Sequence, residues 1–241
     1  MLAAQGVPPS VVEGLLPAGA VVIETADLRP ARGKTRTLVL WMRNPKKEVR
    51  DRNDVRCADD VYGDNWVGLT SLSVVDASSR RLISTISIQG ESTAGIPSGE
   101  FRLPFKIRNG YYSVPVLDSE KEGKPRLLYL RDLTGDGIAA EFVLFMYQAC
   151  GIVATSVFGY QVRSDRVVQY PVAVTEGRSK PTVRTWVWQV FGAEPSKPGQ
   201  WDYSWNPGHG ADLRFRERVL FDKGRQRFVL QHTETPLDLK P

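Results

Sequence analysis

The chain alternates. From Thr35 to Met42 it reads TRTLVLWM, and from Leu69 to Val75 it reads LTSLSVV; such short runs of β-branched, aromatic and threonine residues recur between clusters of Gly, Asp, Asn and Ser. That is the pattern of half-buried strands, and no segment of any length carries the 3.6-residue period of an amphipathic helix. The runs that qualify as strands are Thr35–Met42, Leu69–Val75, Leu82–Ile88, Phe101–Ile107, Tyr111–Val116, Arg126–Leu130, Glu141–Tyr147, Val153–Gln161, Arg166–Val172, Val183–Phe191, Leu213–Phe221 and Arg227–His232. Their close spacing predicts an all-β protein built as an antiparallel meander, in propeller-like, sandwich or barrel form. Residues 1–34, with Pro8, Pro9, Pro17 and Pro30, are expected to form an extended N-terminal arm. A single all-β domain is expected over 35–232 and a short polar tail over 233–241.

One run needs a separate test. Ala139–Tyr160 reads AAEFVLFMYQACGIVATSVFGY, long enough and apolar enough to cross a bilayer. Glu141, Gln148 and Gly151 interrupt it, and no cationic flank anchors it, so it reads as two buried strands around a turn at 148–151, and no transmembrane span is expected.

Three strand-to-strand tips share a chemistry: Asp76-Ala77-Ser78-Ser79-Arg80, Arg163-Ser164-Asp165-Arg166 and Asp222-Lys223-Gly224-Arg225. Each combines Asp with Ser or Gly and a basic residue, the composition of a tight hairpin turn. The three aspartates are unevenly spaced along the chain, so the tips do not establish a repeat.

Composition changes the picture only by exclusion. With 41% hydrophobic residues, two cysteines and two histidines in 241 residues, the chain is neither disordered nor a disulfide-stapled miniprotein. His209 and His232 leave little material for a histidine zinc site or a Ser-His-Asp triad. Cys57 and Cys150 either form a disulfide, worth roughly 4–5 kcal/mol for so long a loop, or are two small buried thiols. Met1–Gly6 lacks a basic n-region, so an intact signal peptide is not expected, although Ala3-Ala4 is a cleavage-type junction.

The net charge of +5 is concentrated: Leu28–Asn53 holds nine basic residues against Glu48 and Asp51. With only Trp41 interleaved, the strip lacks the stacking residues of a nucleic-acid surface and reads as solvated faces and loops. A second basic feature lies in the last hairpin. If Phe221 pairs with Gln226, then Leu213, Phe215, Val219, Phe221 and Phe228 share one face. Arg214, Arg216, Arg218, Arg225 and Arg227 then share the other. Five arginines on one face repel unless anions are near, which marks either a protected sheet edge or a docking surface for an acidic protein or an anionic membrane.

The most specific chemical motif is Asp132-Leu133-Thr134-Gly135-Asp136-Gly137-Ile138-Ala139-Ala140-Glu141. Asp132, Thr134 and Asp136 fall at alternate positions, Gly137 permits a sharp turn and the Ile138 carbonyl can follow it inward, which is how a tight loop gathers oxygens around Ca²⁺. The segment resembles the calcium loops of EF-hands and dockerins, and more closely the D-x-x-G-D-G loops of FG-GAP or VCBS repeats in integrin-type propellers. That resemblance implies a structural calcium ion held by Asp132, Thr134, Asp136, Ile138 and Glu141. The chain departs from the pattern where Thr134 replaces Asn or Asp, and where Ala140 takes the last acid's place with Glu141 one step later. Asp and Gly are also ordinary turn formers, so the same residues read as a turn that holds no ion.

Cys57–Trp66 gathers Asp59, Asp60 and Asp64 without alternate spacing and reads as a polar loop. Trp186, Trp188, Trp201, Tyr203 and Trp205 cluster towards the C-terminus, either as core or as a sugar-binding face. No sequence feature pairs two carboxylates for glycoside hydrolysis. The expectation is a non-catalytic, exported binding protein (periplasmic or secreted), an accessory subunit of a larger assembly that carries one calcium loop. A carbohydrate-binding module or glycoside hydrolase using the tryptophans is the alternative.

Overall fold

A computed structural model describes residues 12–28, 35–50, 63–76, 78–88, 101–104, 126–149, 152–174, 195–205 and 213–236. Within them the chain is all-β, and the strands fall into three sheets. The first sheet orders β1 (Ala20–Leu28), β2 (Arg36–Arg50), β3 (Gly63–Asp76) and β4 (Arg81–Ile88), with β5 (Phe101–Pro104) pairing β3 beyond the end of β4. The second orders β6 (Glu141–Ala149), β7 (Ile152–Gln161) and β8 (Arg166–Tyr170). The third runs β10 (Gln200–Trp205), β11 (Leu213–Asp222), β12 (Arg227–Pro236) and β9 (Val172–Val174). Every pairing is antiparallel except β12 with β9, so the expected meander is broken once, at Pro171. Proline has no N–H to continue the ladder with β7; its carbonyl instead accepts the Phe228 amide, and the chain passes from the second sheet to the third.

Strand β2 is central, and residues Arg36 to Met42 are buried on both faces. Leu38, Leu40 and Met42 face one core, packed with Leu72 and Val74 of β3 against Phe142, Phe158 and Tyr160 of the second sheet. Val39 and Trp41 face the other way, where Val12 and Leu15 cover them. A second large core lies under the third sheet, around Trp201, Phe228, Tyr170 and Leu133. The long apolar run is a β6–β7 hairpin in which Phe142 pairs with Phe158, and among the described residues no helix is long and apolar enough to cross a membrane.

Several expectations change. The N-terminal arm expected over 1–34 contains β1, which pairs with β2 from Ala20 to Leu28, so that stretch belongs to the sheet. The tail expected from 233 begins inside β12, which runs to Pro236. Gly63–Trp66, expected as loop, is the start of β3. Residues 111–116 and 183–191, together with Cys57, Cys150, Trp186, Trp188 and His209, lie outside the described residues.

The three tips have one geometry. Asp76 pairs with Arg81, Gln161 with Arg166 and Asp222 with Arg227, each closing a four-residue turn. The last residue of each turn (Arg80, Asp165, Gln226) has φ near +50°, the left-handed region. Asp165 is therefore the counterpart of Arg80 and Gln226, not of Asp76 and Asp222. Its place in the turn aims its carboxylate inward. Arg36, on the core face of β2 and only 5% exposed, grips Asp165 through Nε (2.8 Å) and Nη2 (2.6 Å), and Asp76 through Nη1 (2.7 Å). The Tyr160 hydroxyl donates to the same Asp165 (2.6 Å), and burial with that bond pushes its pKa up to about 12. Asp76, held first by the Ser78 hydroxyl and also by Arg36, lies well below the usual carboxylate range.

One basic residue of the 28–53 strip is thus a buried clamp between two sheets. Arg36→Leu leaves two carboxylates without their cation and is expected to cost about 3 kcal/mol, since breaking a buried pair costs more than the pair itself contributes. Urea unfolding should show a lower midpoint at unchanged slope, and Tyr160→Phe should cost only about 1 kcal/mol.

Candidate functional site

Residues 126–140 connect the sheets without joining any of them as a strand. Arg126–Leu130, expected as a strand, is not one, because the amides of Leu127 (2.7 Å) and Leu128 (2.9 Å) both donate to the Glu24 carboxylate. Successive amides of an extended strand point to opposite sides, so two that meet one carboxylate cannot belong to a ladder. Glu24 reaches them from β1 just after the register shifts between Val22 and Glu24. The segment's backbone meets β6 at the isolated Arg131–Glu141 bridge. Leu127 and Leu128 enter the first core and Leu133 the second.

The loop that follows is organised by its own acids. Asp132 Oδ1 accepts the amides of Gly135 (2.7 Å) and Asp136 (3.0 Å), and Oδ2 that of Gly137 (2.8 Å). Asp136 Oδ1 accepts the Ile138 amide (2.9 Å), and the Ile138 carbonyl accepts that of Ala140 (2.9 Å). Gly135 lies back to back with the turn into β10. A Cβ on Gly135 would stand 2.5 Å from the Pro198 carbonyl carbon, and one on Gly199 would stand 2.8 Å from the Thr134 oxygen. Only glycine lets the two backbones meet.

Glu141 opens β6 and is 1% exposed. Its Oε2 accepts the amides of Leu133 (2.9 Å) and Thr134 (3.2 Å). Its stem lies over Gly159, where a Cβ would come within 2.8 Å of both Glu141 Cγ and Tyr170 Cε2. Burial, reinforced by the charges of Asp136 and Asp132 and only partly offset by the two amides, pushes its carboxyl up to about 8. Next to it the Thr134 hydroxyl is buried without a hydrogen-bond partner.

These are the residues expected to hold calcium: Asp132, Thr134, Asp136, Ile138 and Glu141. All lie in one loop, but their oxygens face backbone amides, Thr134 apart. Among the described residues no three acidic, histidine or cysteine side chains are close enough to share a metal ion. A carboxylate has about four lone-pair sites, so the same acids can serve an amide and an ion together.

A cleft of about 760 Å³ lies between this loop and the tips 162–165 and 223–226. Gln161 Nε2 donates to Gln226 Oε1 (3.0 Å) across the two tips, and Lys223 Nζ reaches the Gly135 carbonyl (3.3 Å). Glu141, Thr134, Asp136, Tyr170 and Phe221 all line the cleft.

The arginines lie in the third sheet. Phe221 pairs with Phe228 and not with Gln226, a shift of two that leaves the faces unchanged. Arg214, Arg216 and Arg218 are exposed on one face, opposite Thr235, Thr233 and Gln231 of β12. Arg218 pairs with Asp202 of β10, whose carboxyl is drawn down to about 2 by Gln200, Ser196 and Arg218. Arg227 shares this face but is half-buried, and Arg225 sits in the tip, 3.8 Å from Asp222. A shallow groove of about 370 Å³ runs along the face past Arg216, Arg218, Gln231 and Thr233.

On the opposite, apolar face Glu217 is buried between Phe215 and Val219 in the alternation, with its Oε1 3.3 Å from His232 Nδ1. The sequence signal for it is an acid in the apolar phase of the β11 alternation, which the reading of that face passed over. Trp201 is fully buried in the second core, and half-buried Trp205 packs edge-on against Phe215. Trp201 therefore cannot present a ring to a sugar. No protein-family model, curated protein or solved structure matches the chain.

Two outcomes follow from the loop. Asp132→Ala removes the acceptor of three amides and is expected to lower stability by roughly 1–3 kcal/mol in EDTA and in calcium alike. A melting temperature that calcium raises, and that Asp136→Ala no longer responds to, would instead place an ion there. For Glu141, the folded chain keeps a proton that the unfolded chain, at the ordinary 4.5, has released. Its contribution to stability therefore falls as pH rises from about 4.5 to about 8, at up to roughly 1.4 kcal/mol per pH unit. Glu141→Gln, which keeps an acceptor for both amides, should flatten melting temperature against pH across this window and be the more stable protein at its upper end.

Proposed function

We propose that this chain is a non-catalytic all-β binding protein that docks, as an accessory subunit, onto an acidic partner protein through the arginine face of the β10–β11–β12 sheet. The observation that carries the reading is the exposure of Arg214, Arg216 and Arg218 at alternate positions of one strand, flanked by neutral Thr, Gln and Ser side chains except where Asp202 pairs with Arg218. Three guanidiniums about 7 Å apart along a strand repel one another in the free protein, and an acidic surface relieves that repulsion on binding. The neutral flanks supply the satisfied polar rim that such an interface needs.

The net charge of +5 acts in the same direction, steering an anionic partner towards the face. Among the described residues, half-buried Glu24 and buried Glu141 each receive two backbone amides, and buried Glu217 faces His232. These are structural attachments, which supports a binding role over a hydrolytic one.

Poly-L-glutamate, immobilised, stands in for the acidic partner, and anionic lipid vesicles serve as the contrast. The wild-type chain should be retained by polyglutamate with an affinity that falls steeply as salt rises. Arg214→Glu with Arg216→Glu, which leaves the Arg218–Asp202 pair in place, should weaken retention at least roughly tenfold while shifting stability by no more than about 0.5 kcal/mol. Retention unchanged by the double reversal would remove this face from the interface. Binding confined to vesicles would assign it to a membrane surface.

A further inference from the structure

The cleft beside the Asp132 loop uses none of the arginine-face residues, and its chemistry is different. Its deep wall is acidic. Glu141 is buried there, the charges acting on it are those of Asp136 and Asp132, and among the described residues it forms no ion pair. Thr134 lines the same wall, 4% exposed, with a hydroxyl that has no partner among the described residues. Aromatic rings adjoin this wall: Tyr170 lies beside Glu141 over Gly159 and meets Phe221 edge to face with ring centroids 5.4 Å apart. Arg163 and Lys223, both exposed, stand at the rim.

A buried carboxyl among like charges is costly, and two amides offset only part of that cost. A cation brought by a ligand supplies what the chain does not. An ammonium group suits the site because its three N–H donors match a carboxylate and a hydroxyl oxygen together, while the faces of aromatic rings attract its charge. We propose that this cleft binds a small amino-acid-like ligand through its ammonium group, with the Glu141 carboxyl and the Thr134 hydroxyl as its acceptors. The ligand's apolar side chain lies against Tyr170 and Phe221, and its carboxylate faces Arg163 and Lys223. The opposed charges of wall and rim favour a zwitterion over a polyamine.

Three related probes separate the parts of the proposal in calorimetric titrations at up to about 10 mM ligand: L-phenylalanine, phenethylamine without the carboxylate, and 3-phenylpropionate without the amine. Phenylalanine and phenethylamine should bind, and phenylpropionate should not. Glu141→Gln should weaken both amines at least roughly tenfold. Arg163→Glu, on an exposed turn, should remove the preference for phenylalanine over phenethylamine and leave phenethylamine binding unchanged. If Glu141→Gln does not fold, Phe221→Leu replaces it and should weaken both amines. The proposal is overturned if phenylpropionate binds as well as the amines, if Glu141→Gln and Phe221→Leu bind them like wild type, if no probe binds, or if calcium displaces phenethylamine and so claims the acids for a metal ion.

Discussion

The arrangement of this protein depends on carboxylates that capture backbone amides. Between Arg126 and Glu141 the chain passes among three sheets and buries leucines in two cores, yet it has almost no ladder of its own. Buried amides without partners cost about as much as lost hydrogen bonds. Eight amides here, from Leu127–Leu128 and Leu133–Ile138, the last three of them in exposed bonds, donate to Glu24, Glu141, Asp132 and Asp136. An acid can serve two or three donors from any direction, whereas a strand offers one at a fixed spacing. That freedom lets the segment turn where β1, β6 and the entry to β10 converge.

The same region is fixed from the other side by a cation. Arg36 draws the first and second tips together on the core face of β2, and the Gln161–Gln226 contact extends the line to the third. Lys223 then reaches back to the loop at Gly135. The cleft is what remains between a loop held by acids and tips held by an arginine. The loop brings Asp136 and Glu141 to the cleft and the tips bring Arg163 and Lys223 to its rim, before any ligand is considered.

Much of the fold was legible because alternation is a local signal: β2, β3, β4, β6, β7, β8, β11 and β12 all contain runs read from pattern alone. The errors have physical causes. Arg126–Leu130 has strand composition, but the partner of its amides lies about a hundred residues upstream in Glu24, and no periodicity records that. Strand β1 was lost in a proline-rich N-terminus. Strand β10 is short and was not among the runs read as strands, although Trp201, Tyr203 and Trp205 alternate with Asp202 and Ser204. Of its tryptophans, left open between core and a sugar-binding face, Trp201 is core and Trp205 half-buried. The loop at Asp132 was found by composition and spacing. What its oxygens touch was not legible, since an Asp at the head of a tight turn can face an ion or its own backbone with the same neighbours in sequence. Gly135 also had a reason that spacing could not show, its contact with the backbone at Pro198.

Glu24 and Glu141 make the distinction concrete. Each accepts two successive backbone amides at similar distances, and each is pushed up by burial. Their fields differ. The Arg126 charge favours the ionised form of Glu24, whereas Asp136 and Asp132 disfavour that of Glu141. The surroundings of Glu24 thus supply a cation that the described surroundings of Glu141 do not, and Glu141 lines the cleft. The local motif cannot separate a structural acid from a binding one, because the two hold their amides alike. The long-range charge context separates them, and it arises only once the Asp132 loop has folded back beside β6.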